Sequence, residues 1–303
     1  MPPPAAVPAL PPPAAVPGVP SPAAVPRQQR AVTQFGVLVR RYLAVIAADR
    51  QYAVFLAVLP VVLSLLTRAV PGESGLSVAA AVATQDPQPR QMVMVLILGA
   101  ALMGAAAAVR ELVKERAIYR RERAIGLSVG AYVASKVLVL GAVAGLQAVV
   151  FTVVALAGRD GPDDPVLLPD ARAEILVAVV AVTLASVVTG LLISAAIDNA
   201  DRGMPLLVLL IMVQLILSGG LFTVSGRPVL EQVGWLVPAR WGFAMAAGTC
   251  ELTRLVRGTT DPSWDHTAGV WSANLAFLAL TGVVTLALVV LALRRLDPRR
   301  PAR

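Results

Sequence analysis

The sequence predicts an all-α, polytopic membrane protein, and three observations carry that prediction. Of the 303 residues 57% are hydrophobic and mean hydropathy is +0.75, whereas a soluble domain is nearer half apolar. Six runs with few or no charges are each about as long as the roughly 20-residue helix that crosses a hydrocarbon layer of about 30 Å. The runs are mostly Ala, Val and Leu without strict polar alternation, which fits helices better than barrel strands.

The elements follow in order. Residues 1–32 read as a disordered Pro/Ala-rich linker, with PPPAAVP at Pro2 and again at Pro11; such a stretch favours extended polyproline conformations and builds no core. It reads as a spacer behind a soluble module, or more weakly as a docking segment for a Pro-binding partner. Residues 33–303 form the six-span domain. From Thr33 to Arg50, Phe35, Leu38, Val39, Tyr42, Leu43 and Ile46 recur at helical spacing beside Arg40 and Arg41, predicting an amphipathic helix lying on the membrane surface. The spans are Tyr52 to Thr67, Gln91 to Val109, Ala131 to Ala157, Ile175 to Ile197, Pro205 to Val224, and Val270 to Leu293. Ala69 to Arg90 and Gly158 to Glu174 are modest loops. Ser225 to Gly269 is the longest connection and contains short apolar helices broken at Pro238, placed to dip back into the membrane.

A formal charge of +8 raises the possibility of nucleic acid, but topology accounts for it. With both termini inside, eighteen of the 26 basic residues fall on the cytosolic side, as the positive-inside rule requires. The four tryptophans, Trp235, Trp241, Trp264 and Trp271, cluster in or beside the last external segment, where an interfacial aromatic belt is expected. No charged n-region followed by an apolar h-region marks a signal peptide at the N-terminus. The single Cys250 excludes an intramolecular disulfide framework and leaves a bridge to a second copy open.

Familiar catalytic patterns are missing. Neither lysine, Lys114 nor Lys136, ends a phosphate-binding G-x-x-x-x-G-K-[ST] loop. His266 has no second His or Cys at metal-ligand spacing, so no metal site is expected. Neutral polar residues interrupt the spans: Gln147, Thr183, Thr189, Gln214, Ser218, Asn274 and Thr281. They read as helix-packing groups or as the lining of a largely apolar route. The acidic Asp160, Asp163 and Asp164 read as a solvated turn, with a membrane-bound transferase as the remote alternative.

The densest charge lies in Arg110 to Ser128, which carries nine charged side chains between the second and third spans. A topological anchor needs only bases, yet Glu111, Glu115 and Glu122 are interspersed, a mixture suited to protein docking. ERAIYRRERAIGLSVGAYVASK, Glu115 to Lys136, resembles the cytosolic coupling segment of type-2 ABC exporter membrane domains, especially the G subfamily. SGGLF at Ser218 to Phe222 and VPARWGFAMAAG at Val237 to Gly248 resemble that family's fifth-span end and re-entrant external helices.

The resemblance implies a plasma-membrane permease that forms a dimer with a second copy or a homologous chain. The amphipathic helix becomes a connecting helix, and an ABC nucleotide-binding domain docks below. ATP and Mg²⁺ are expected on that partner domain, no cofactor on this chain, and membrane lipid rather than nucleic acid as the surroundings. Glu115, Arg116, Glu122 and Arg123 then belong to the coupling segment, with Asp198 and Arg202 as a second contact. In actinobacterial relatives the permease is fused behind forkhead-associated and ATPase domains. The cargo expected is hydrophobic or amphipathic, with a lipid or glycolipid as one class, and Gln147, Gln214, Ser218, Phe222 and Asn274 are the candidate lining. A non-transporting scaffold that recruits a cytosolic partner is the alternative of a different class.

Overall fold

The computed structural model describes residues 30–255 and 261–295. The linker expected over residues 1–32 therefore lies almost wholly outside the described residues. Helices are α1 (Ala31–Ala48), α2 (Arg50–Arg68), α3 (Val78–Thr84), α4 (Gln88–Ala108), α5 (Glu111–Lys114), α6 (Arg116–Ala124) and α7 (Val129–Leu156). They continue with α8 (Ala171–Ala196), α9 (Gly203–Leu217), α10 (Leu230–Gly234), α11 (Pro238–Thr249) and α12 (Ala268–Arg295). No strand occurs among the described residues.

Six of these, α2, α4, α7, α8, α9 and α12, run between two ends of one bundle. One end carries α5 and α6; the other carries α3, α10, α11 and the Trp-rich connection. Seven described helices are long and apolar enough to cross a membrane. The seventh is α1, which the sequence assigns to the membrane surface. Its stripe faces the bundle: Leu38 and Tyr42 are buried, and Phe35, Val39 and Ile46 pack against the core cluster to which Tyr132, Val133 and Val139 of α7 belong. The apolar face is thus taken by protein, while Leu43, at 48% exposure, is not.

The core of the bundle is the crossing of α4 and α8. In lipid no hydrophobic gradient drives helices together, so close packing of small residues does. A Cβ on Gly104 would stand 2.2 Å from the Thr183 carbonyl oxygen, and one on Gly190 2.7 Å from that of Ala105. The backbones touch because neither side chain exists.

Two boundaries and the placing of the tryptophans differ from the expected ones for local reasons. The fifth run stops at Leu217 rather than Val224. Gly219 takes φ +88°, a left-handed conformation that ends a helix, and Ser218 Oγ accepts the Gly220 N–H at 3.1 Å. The charged segment is two helices, broken at Glu115. The tryptophans form no simple belt: Trp241, Trp264 and Trp271 are buried and only Trp235 is half exposed. Trp241 stacks on Phe277 with centroids 4.7 Å apart, and Trp264 meets Phe243 at 5.4 Å. The re-entrant α11 brings its own aromatic packing into the core, which absorbs them.

Pro238 occupies the first turn of α11, where its missing N–H costs nothing. All twelve residues of that helix are buried. Glu174, in the first turn of α8, anchors the region. One carboxylate oxygen accepts the N–H groups of Val166, Leu167 and Leu168 at 2.5–2.9 Å, and the other accepts Thr249 Oγ1 at 2.7 Å. Cys250 follows α11 and is buried, with its thiol pushed well up by desolvation. A bridge from it to a second copy is closed off by the packing around it.

Candidate functional site

The site is built at the charged end, where α5 starts without a cap of its own. The first N–H groups of a helix lack intrahelical acceptors, and Ser194 of α8 supplies one, its Oγ accepting Leu112 N–H at 2.9 Å and Val113 N–H at 3.1 Å. The residues after α5 then close over a buried ion cluster. Lys136 of α7, 3% exposed, lies 2.8 Å from Glu115 Oε1 and 3.3 Å from Glu111 Oε2. Tyr132 donates to Glu115 at 3.0 Å, Tyr42 of α1 donates to Glu111, and the Lys136 ammonium sits 3.4 Å from the Tyr42 ring centroid. Burying a lysine this deeply is costly unless carboxylates face it.

The six residues read as coupling groups are distributed as follows. Glu115 faces the ion cluster. Arg116 donates to Asp198 and, at 3.1 Å, to the Ile197 carbonyl, tying α6 to the end of α8. Glu122 pairs with Arg41 of α1. Arg123 donates to the Leu127 carbonyl at 2.6 Å. Arg202 is exposed in the 3₁₀ turn Ala200–Arg202 that leads into α9. Tyr119 completes the anchoring, its ring tilted against that of Tyr132 with centroids 4.9 Å apart and its hydroxyl donating to the Leu293 carbonyl of α12 at 3.4 Å. Through these contacts α6 is fastened to α1, α7, α8 and α12 together.

That inward commitment leaves a different face outward. Ile118 is 49% and Ile125 84% exposed, with Arg120 and Arg121 exposed between them. Apolar residues so exposed beside bases, at the charged end of the bundle, suit a protein contact. Sequence reading chose the charged residues of this segment and missed Ile118, Ile125, Lys136 and Ser194. The i, i+3, i+7 spacing of Ile118, Arg121 and Ile125 was the available signal.

The candidate lining residues do not converge on one cavity. Gln147 Nε2 donates to the Leu56 carbonyl at 2.5 Å, the group orphaned because Pro60 has no N–H to give it. Gln214 Oε1 accepts the Ala239 N–H in the first turn of α11 at 3.2 Å. Asn274 Nδ2 donates to the Ser263 carbonyl at 2.8 Å, and Ser218 bonds within its own turn. Phe222 lies near Arg227, whose guanidinium carbon is 5.0 Å from the ring centroid. Thr183, Thr189 and Thr281 donate to carbonyls of their own helices. At the opposite end Asp163 accepts Ser77 Oγ and the Ala79 N–H, capping α3. That carboxylate has a structural role rather than the free one a transferase base needs.

A six-helix bundle with a charged double helix at one end and a buried short helix at the other defines a polytopic membrane domain. Residues 33–249 match the family described as ABC-2 type transporter. The chain is 41% identical over 255 residues to the ABC transporter ATP-binding/permease protein Rv1747 of Mycobacterium tuberculosis, covering 83% of this chain. It spans only 30% of that relative's length. The chain belongs to the ABC-2 type transporter family, as a multi-pass membrane domain.

Proposed function

We propose that this chain is the permease of an ATP-driven exporter of the G-subfamily type, coupled through the outward face of α6. The observation that carries the proposal is the division of α6: Arg116, Glu122 and Arg123 bind the bundle, while Ile118, Arg120, Arg121 and Ile125 face away. An ABC nucleotide-binding domain, carrying ATP and Mg²⁺, docks on that face and supplies the hydrolysis. The relative's printed name joins ATP binding and permease in one protein, which supports such a partner as either a separate chain or a fused domain. The excess of basic residues at the α6 end supports a cytosolic position for it and for both termini in the plasma membrane.

A second permease copy completes the passage. Among the described residues Gln147 Oε1, Gln214 Nε2 and Ser186 Oγ are left without a partner, but the interior glutamines, threonines and Asn274 bond backbone groups within one copy. Their use as backbone partners leaves an apolar route and supports a hydrophobic or amphipathic cargo, a lipid or glycolipid among them. Closure of the nucleotide domains pushes α6, and its ties to α1, α7, α8 and α12 pass that push to the spans. The test is purification from the native membrane. The wild-type chain is expected to bring down an ATP-hydrolysing subunit or domain, and to stimulate vanadate-sensitive ATPase activity when cargo lipid is added. Ile118→Glu with Ile125→Glu should abolish the stimulation while the chain stays folded. Unchanged stimulation in that variant, or a native chain with no ATPase associated, would favour a scaffold instead.

A further inference from the structure

Three arginines meet at the end of the bundle opposite α6. Arg68, closing α2, donates to the Ala157 carbonyl and, at 3.4 Å, to that of Val154 at the end of α7. Arg159 donates to the carbonyls of Arg68 and Val70, and Arg172 at the start of α8 donates to the Arg159 carbonyl at 2.8 Å. Among the described residues no carboxylate lies within 4 Å of the side-chain nitrogens of any of the three. Helix-end carbonyls offer partial negative charge, but three full cations exceed what they supply. Asp170, the nearest acid in the same turn, accepts the Arg172 backbone N–H at 3.0 Å.

Beside Arg172, between α7 and α8, lies a groove of about 370 Å³ with Asp170 and Arg172 at its rim and Ala157, whose carbonyl Arg68 holds, in its wall. Its walls include Leu156, Ala157, Ala173 and Leu176. Thr152 also lines it, but its hydroxyl is turned to the Ala148 carbonyl at 2.8 Å, so the wall is apolar. An apolar slot between two spanning helices, headed by Arg172 and by Arg68 on the carbonyl of the lining residue Ala157, neither in a described ion pair although Asp170 shares the rim, has the two-part chemistry of a lipid. Arg binds phosphate oxygens through paired N–H donors, and a zwitterionic headgroup brings no net charge to offset three cations.

We propose that this groove is a site for an anionic phospholipid of the adjoining leaflet, its phosphate on Arg172 and Arg68 and one acyl chain between α7 and α8. It is a resident lipid, separate from any cargo, and stands whether or not the chain is an exporter.

The test uses the full chain in detergent with phosphatidylglycerol bearing a photoactivatable group on its acyl chain, against phosphatidylcholine with the same chain. Adducts are mapped by peptide mass spectrometry. The site predicts phosphatidylglycerol adducts on residues 152–176 in excess over phosphatidylcholine. Arg68→Gln with Arg172→Gln should reduce them by about fivefold per arginine removed, with adducts near α6 unchanged. Ala173→Trp, which fills the groove and keeps the arginines, should also remove them. Equal labelling by the two lipids in the wild-type chain, or adducts that survive both variants, overturns the proposal.

Discussion

Gln147 and Pro60 form a matched pair across two helices. Pro60 leaves the carbonyl of Leu56 without its helical donor, and the Gln147 amide, from α7, donates to it at 2.5 Å. Ser64 reinforces the same contact, its hydroxyl within hydrogen-bonding distance of the Pro60 and Phe151 carbonyls. A glutamine that looks like route lining from sequence is thus the repair of a helix break.

Gln147→Leu should therefore destabilise the fold by about 1–3 kcal/mol, the cost of an unmade buried hydrogen bond. In a Pro60→Ala background the helix supplies its own donor and the same change should cost much less. Thermal unfolding of the four proteins in detergent measures this coupling. Additive effects of the two changes would disprove the repair.

Lys136 is the keystone of the charged end. Lys136→Met leaves Glu111 and Glu115 without the cation buried between them, and breaking a buried pair in this way costs up to about 3–5 kcal/mol. Adding Glu115→Gln should recover part of that loss. A Lys136→Met protein that melts with the wild type would remove the cluster from the account of how α5 and α6 are held.

Asp86 governs the loop ahead of α4. Partial burial pushes its carboxyl up, but hydrogen bonds from Ser74, Gln88 and Glu73 outweigh that and hold it below the ordinary carboxylate value. A folded value below the unfolded one, near 3.9, means stability that is fully present above about pH 4 to 5 and lost as pH falls through the folded value. Asp86→Asn should thus melt earlier than wild type at pH 7, and the gap should narrow towards pH 3. A gap independent of pH would place the effect elsewhere.

The spans were legible because membrane helices must be long and apolar, and α4, α7, α8 and α12 lie within a few residues of the runs read from Ala, Val and Leu. The end of α9 was not, since it depends on Gly219 adopting a positive φ against Trp264, a contact 45 residues away in sequence. The surface helix was legible as amphipathic but not in what its stripe meets, because periodicity reports a face and not its partner. The same limit applied at the site. Charge marked Arg110 to Ser128 as exceptional, while the partners that turn those charges inward, Arg41, Lys136 and Asp198, lie elsewhere in the chain. With Glu115, Arg116 and Glu122 so paired, Ile118 and Ile125 join Arg120 and Arg121 as the exposed surface.

The central claim, that the outward face of α6 meets an ATP-binding partner, is tested most directly by site-directed cross-linking. Cys250 is the only cysteine and is buried, so Ile125→Cys introduces the one accessible thiol, and a thiol-reactive photocross-linker can be placed there in the native membrane. Leu236→Cys, 75% exposed at the opposite end of the bundle, is the control. The account predicts an adduct between residue 125 and an ATP-binding polypeptide or domain, and none from residue 236. Cross-linking to that partner from both positions, or from neither, would contradict it.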